Sequence, residues 1–145
     1  MTNKIRSSGL VMGFAIAGLL LLSAKGTAAR EQDDEPVCLD FSDGGTSVLT
    51  LKVMNRGELA PRDDDGVKLI RAFINGIEPA FGSVTRSGQT AVMANVAGTV
   101  AGFFTAIHFT LDFTTGAGTG RIAGELSSHQ VTAAVVACPG TGSTR

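Results

Sequence analysis

Along the chain the clearest pattern is alternation with a period of two. From Phe103 to Phe113 the odd positions are Phe103, Thr105, Ile107, Phe109, Leu111 and Phe113, and the even ones Phe104, Ala106, His108, Thr110 and Asp112. One stripe is more apolar than the other, which predicts a half-buried strand over Ala101–Phe113. Similar segments predict strands over Val37–Phe41, Thr46–Met54, Val67–Ile74, Ile77–Arg86, Gln89–Ala97, Gly120–Leu126 and His129–Cys138. The breaks carry turn chemistry. Asp43-Gly44-Gly45 and Asn75-Gly76 tolerate the positive φ of tight hairpin turns. Ser87-Gly88 and Ser127-Ser128 are weaker punctuation, and Asn55–Gly66 is the longest loop. Pro79 demotes its strand to an edge or a bulge.

These elements predict an all-β domain, an antiparallel meander of about eight strands. A meander of that size removes its edges by closing into a small barrel; a two-sheet β-sandwich is the alternative. One hairpin can be placed in register. Taking Gly116-Ala117 as a two-residue type II′ turn pairs Leu111 with Ile122, Phe109 with Gly124 and Ile107 with Leu126. The same register sets Asp112 against Arg121 and His108 against Glu125. The stretch Ser87–Leu111 has no charged residue and contains Gly98-x-x-x-Gly102, so it competes as a membrane helix or, over Thr90–Val100, as an Ala-rich helix. Its Thr, Asn, Gly and β-branched content favours strands.

The start of the chain changes the compartment. Lys4 and Arg6 precede an uncharged run over Gly9–Ala24, followed by small residues in AKGTAAR. This is the form of a secretory signal peptide over residues 1–29, and the run is short for a membrane span. The mature chain then begins between Thr27 and Glu31, with a charged leader over 30–36, a β domain over 37–138 and a flexible tail over 139–145. It is expected to be exported, periplasmic or extracellular, with no membrane association after cleavage. Cleavage after Ala29 removes Lys4, Arg6 and Lys25, leaving nine basic residues against thirteen acidic ones, a net charge of −4. With no basic cluster, the chain lacks the means to neutralise phosphates, and nucleic acid is excluded as a partner.

In an oxidising compartment the two cysteines, Cys38 and Cys138, are expected to form a disulfide. Each lies opposite the more apolar stripe of its segment: Val37, Leu39 and Phe41 in one, Val131, Ala133, Val135 and Ala137 in the other. A bridge on the outside of the sheet, tying the first strand to the last, follows if those strands are neighbours.

Candidate chemistry is sparse. His108, Asp112, Arg121 and Glu125 share one face in the register above. They read either as two cross-strand ion pairs or as the acid–base groups of an enzyme, His108 acting with Asp112 or Glu125. Gly118–Ala123 matches G-x-G-x-x-A, but it leaves a turn and enters a strand, whereas a dinucleotide site opens a helix. Asp63-Asp64-Asp65-Gly66 makes Asp63 and Asp65 weak calcium ligands, because the EF-hand positions 1 and 12 fall on Pro61 and Ala72. No G-x-S-x-G elbow occurs, and the absence of Trp and Tyr weighs against a carbohydrate module. No cofactor is implied.

In size and strand count the chain resembles small exported barrels of the calycin and allene-oxide-cyclase kinds, a resemblance of architecture that transfers no residue. The expected function is therefore a non-catalytic binding or envelope interaction module, with a small apolar ligand held near Phe109, Leu111 and Ile122. The alternative is a small-barrel isomerase or cyclase using His108.

Overall fold

The computed structural model describes residues 34–60 and 66–140. Eight strands run in chain order: β1 Val37–Asp43, β2 Thr46–Val53, β3 Val67–Ile74, β4 Glu78–Arg86, β5 Ala91–Val100, β6 Phe103–Asp112, β7 Ala117–Gly124 and β8 Ser128–Val136. Each pairs antiparallel with the next, and β8 pairs with β1, so the meander closes into a barrel. The sandwich and the helical alternatives for Ser87–Leu111 are thereby set aside, and no helix among the described residues is long and apolar enough to cross a membrane. The expected signal peptide and most of the expected charged leader lie outside the described residues, as do Asp63, Asp65 and the last five residues of the expected tail.

The alternation decides which side faces in. Leu39 and Phe41, Leu49, Leu51 and Val53, Ile70, Ala72 and Ile74, Val92, Ala94 and Val96, Ile107, Phe109 and Leu111, and Val131 and Ala133 form one buried cluster. At its centre the rings of Phe41 and Phe109 meet edge to face, 5.3 Å between centroids at 67°. Outward positions include Asp40 and Ser42 of β1, Thr50 and Lys52 of β2, Thr119 and Arg121 of β7 and Thr132 of β8.

The turns explain where the strands begin and end. Gly44 and Gly45 both have positive φ, as a two-residue type I′ hairpin requires. Ala101 (φ 51°) and Gly102 (φ 85°) do the same between β5 and β6. This turn has the wrong residue at its first position for a sequence signal, since Ala is strained at positive φ. The expected strand starting at Ala101 therefore begins two residues later. Ile77 belongs to the Asn75–Ile77 turn and not to β4. Pro79 does not mark an edge, because the barrel has none. It pairs with Phe73 on one side, and the ladder with β5 starts only at Ala80, so its missing N–H interrupts nothing.

The β6–β7 hairpin is four residues out of the expected register. His108 faces Arg121 and not Glu125, Phe109 faces Gly120, Leu111 faces Gly118, and Asp112 faces Ala117 and not Arg121. The loop is Phe113–Gly116, not Gly116-Ala117. Asp112 organises it: its carbonyl accepts from the Gly116 N–H at 2.8 Å and its carboxylate from the Thr114 N–H at 2.7 Å. An even shift leaves every side chain on its expected face while changing all its neighbours.

Two features close the remaining gaps. Within the long β2–β3 connection, α1 (Arg56–Leu59) makes one turn, capped by Asn55 accepting from the Gly57 N–H at 2.8 Å. It inserts the fully buried Leu59 into the core, and Glu58 holds Arg71 of β3 at 2.9 Å. Cys38 and Cys138 form a disulfide with Cα atoms 5.1 Å apart, joining the first strand to the segment after the last. The bridge spans 100 residues of sequence, and closing so long a loop in the unfolded chain is worth about 4–5 kcal/mol on the chain-entropy account. Reduction should lower the unfolding free energy by an amount of that order, seen as a lower denaturant midpoint; equal midpoints for oxidised and reduced protein would contradict a structural role for the bridge.

Candidate functional site

One end of the barrel is closed by the tight turns 44–45, 75–77 and 101–102 together with the loop 125–127. The other end carries the long β2–β3 connection, the loops 87–90 and 113–116, and both ends of the β domain. A cavity of about 560 Å³ opens at this second end. Its apolar wall is Val37, Phe113 and Val135, and its rim holds Glu35, Pro36 and Arg56 beside the disulfide.

The wall residues continue the inward stripe. Val37 precedes Leu39 and Phe41, Phe113 follows Phe109 and Leu111, and Val135 follows Val131 and Ala133 on the same parity. The core reaches Leu39, Leu111 and Ala133 and then stops, which leaves Val135 43% exposed although it points inward. The stripe thus extends past the point where the barrel fills itself. Arg56 lies over the Phe113 ring, its guanidinium 5.8 Å from the centroid, within cation–π range. Its backbone N–H donates to the Glu35 carbonyl at 2.9 Å, which pins the start of α1 against the leader. Beyond the Arg56–Phe113 contact a second cavity of about 300 Å³ is lined by Ala60, Arg86, Gln89, Ala91 and Val92 among others. Arg86 is fixed there, its Nε donating to the Gly88 carbonyl at 2.8 Å and its Nη2 to that of Gln89.

The residues expected to line a pocket sit elsewhere. Phe109 and Leu111 are fully buried in the packed centre of the barrel, and Ile122 packs against the core from β7. The cavity lies one layer further along the same stripe. The sequence contained the signal for Val135 and Phe113, whose parity was legible. It contained none for Arg56, which arrives from a loop.

The expected acid–base set is not brought together as one group. His108 and Asp112 share the outer face of β6, four residues and about 13 Å apart at strand rise. Glu125 lies in the exposed β7–β8 loop, outside the ladder that places Arg121 beside His108. His108 instead bonds through Nδ1 to Asn95 Oδ1 on β5. Arg121 Nε donates to Ser128 Oγ. His129 lies 3.7 Å from Asp43, a surface contact near the far end. Gly118–Ala123, the G-x-G-x-x-A match, lies within β7 and opens no helix.

Comparison of the chain with protein-family models, with curated proteins and with solved structures finds no match to any of them.

Asp112 supports the mouth by holding the loop that presents Phe113. The Thr114 N–H, chiefly, draws its carboxyl below the ordinary 3.8, against a smaller opposing desolvation, with further hydrogen bonds from Thr115, Thr90 and Thr114. A carboxylate whose folded pKa is depressed contributes stability above its unfolded pKa and loses it as the pH falls through the folded value. Asp112→Ala should therefore melt below the wild type at neutral pH, Asp112→Asn should retain part of the difference through its remaining acceptor, and the wild-type advantage over Asp112→Ala should narrow below pH 3.8 towards the part that Asp112→Asn retains. Thermal melts from pH 7 to pH 2.5 measure this; a gap that stays constant with pH contradicts it.

Proposed function

We propose that the chain is an exported, non-catalytic binding module that takes a small, largely apolar ligand at the open end of the barrel. The observation that carries this reading is the 560 Å³ cavity in which the inward apolar stripe of β1, β6 and β8 runs beyond the packed core. Its volume is in the range of small-molecule sites, and barrel mouths are a preferred location for them. Val37, Phe113 and Val135 supply the apolar contact, and Arg56, with the Glu35 segment, supplies the polar rim that orients a ligand. Export is supported by the basic start and short apolar run of the sequence and by the Cys38–Cys138 bridge, which suits an oxidising compartment. The isomerase or cyclase alternative has no comparable support, since His108, Asp112 and Glu125 do not converge.

The test uses the neutral fluorescent probe N-phenyl-1-naphthylamine. Wild-type protein should bind it, Val135→Trp should fill the mouth and weaken binding at least tenfold with the fold intact, and His108→Ala should leave it unchanged. Binding lost in His108→Ala but kept in Val135→Trp would place the functional face on the outside of the sheet and overturn the reading.

A further inference from the structure

The outer face of β3 to β6 is the apolar side of the barrel. Leu69 is 81% exposed, Phe81 65% and Phe104 53%. Soluble monomers rarely leave a contiguous apolar patch of this kind open to water.

The ladders give the patch a shape. One row across the strands reads Phe81, Ala97, Ala106 and Ala123, from β4 to β7. The row on one side holds Asn95, His108 and Arg121, and the row on the other holds Thr99 and Phe104. Three successive alanines between two rows of longer side chains leave a groove of about 180 Å³. Phe81 stands at its end as an exposed ring. Knob and hole thus lie side by side on one face.

We propose that this face binds a second copy of the chain, each Phe81 entering the alanine groove of the other across a two-fold axis. An isologous interface must be self-complementary, and an adjacent knob and hole meet that condition, because the two-fold exchanges them. The charges agree. Ser87–Leu111, which supplies β5 and nearly all of β6, carries no Asp, Glu, Lys or Arg. Arg71, beside Phe81, brings its own counter-ion in Glu58, 2.9 Å away. Apposing two copies therefore buries aromatic and aliphatic surface, with Arg121, the cation that lines the groove, held at its rim, where its Nε donates to Ser128 Oγ. The His108–Asn95 pair, which flanks the groove, then serves as its polar rim.

Light scattering coupled to size exclusion, from one to one hundred micromolar, measures the mass. The wild type should run at twice the chain mass at the upper concentrations. Phe81→Glu removes the knob and Ala97→Leu fills the hole; each should weaken association by at least about 30-fold, the scale of a truncated aromatic hot spot, with an unchanged circular dichroism spectrum. Thr132→Glu, on the outer face of β8, should remain dimeric. A wild type of single-chain mass at one hundred micromolar overturns the proposal, as does a dimer that survives both substitutions. A monomer that floats with phosphatidylcholine vesicles also overturns it and assigns the face to lipid.

Discussion

Two phenyl rings have to fit inside an eight-stranded barrel, whose interior is only wide enough for its own side chains. Phe41 on β1 and Phe109 on β6 meet there, both fully buried. The space comes from β7. Its inward positions begin Gly118, Gly120, and each faces a large neighbour: Leu111 opposite Gly118 and Phe109 opposite Gly120. On the other side of β7 the partners are Ala133 and Val131. Between Leu111 of β6 and Phe41 of β1, one layer therefore reads Gly118 then Ala133, two small residues flanked by two large ones. This alternation of size lets the rings interlock and the wall close around them. A Cβ on Gly118 would lie 2.0 Å from the Thr110 carbonyl oxygen, and one on Gly120 would lie 2.6 Å from that of His108 and 2.8 Å from Phe109 Cβ. The wall has no room for either.

The same packing determines where a ligand can go. A centre filled by Phe41, Phe109 and Leu111 leaves the ends and the outer faces. At the closed end short turns cover the core; at the open end the stripe runs past it to Val135 and Phe113. The long connection that brings α1 across supplies both the plug, Leu59, and the cation at the rim, Arg56. Stability and the candidate site thus meet in one loop. The disulfide anchors the wall beside it, tying the start of β1 to the segment that leaves β8.

Much of this architecture was legible because a period of two is a local property. The faces of β1, β6, β7 and β8 follow from parity, and β3 has the same bounds in sequence and structure, Val67–Ile74. Closure was legible from strand count and from cysteines at the two ends. The hairpin register was not. Gly116, Gly118 and Gly120 each permit a turn, and the choice belongs to Asp112, whose carboxylate rewards a four-residue loop with a hydrogen bond that glycine spacing does not encode. The Ala101-Gly102 turn was hidden for a related reason, since Ala at positive φ is held by its surroundings, including Glu78, which accepts its N–H at 2.7 Å. The site suffered most. Placing the ligand residues at Phe109 and Leu111 assumed a hollow barrel, and hollowness depends on packing across the barrel, which parity does not report. The supposed acid–base group depended on the register and dissolved with it.

Small residues on β7 are central to this account, so a pair of substitutions on that strand tests it most directly. Gly120 and Gly124 both point inward, but a Cβ on Gly124 meets nothing closer than 3.9 Å. Chemical denaturation of Gly120→Ala should show a loss of about 1–3 kcal/mol, the cost of overpacking a filled core. Gly124→Ala should stay within about 0.5 kcal/mol of the wild type or gain slightly. Equal stability of the two variants would contradict the claim that β7 closes the barrel by yielding its interior to Phe109 and Phe41.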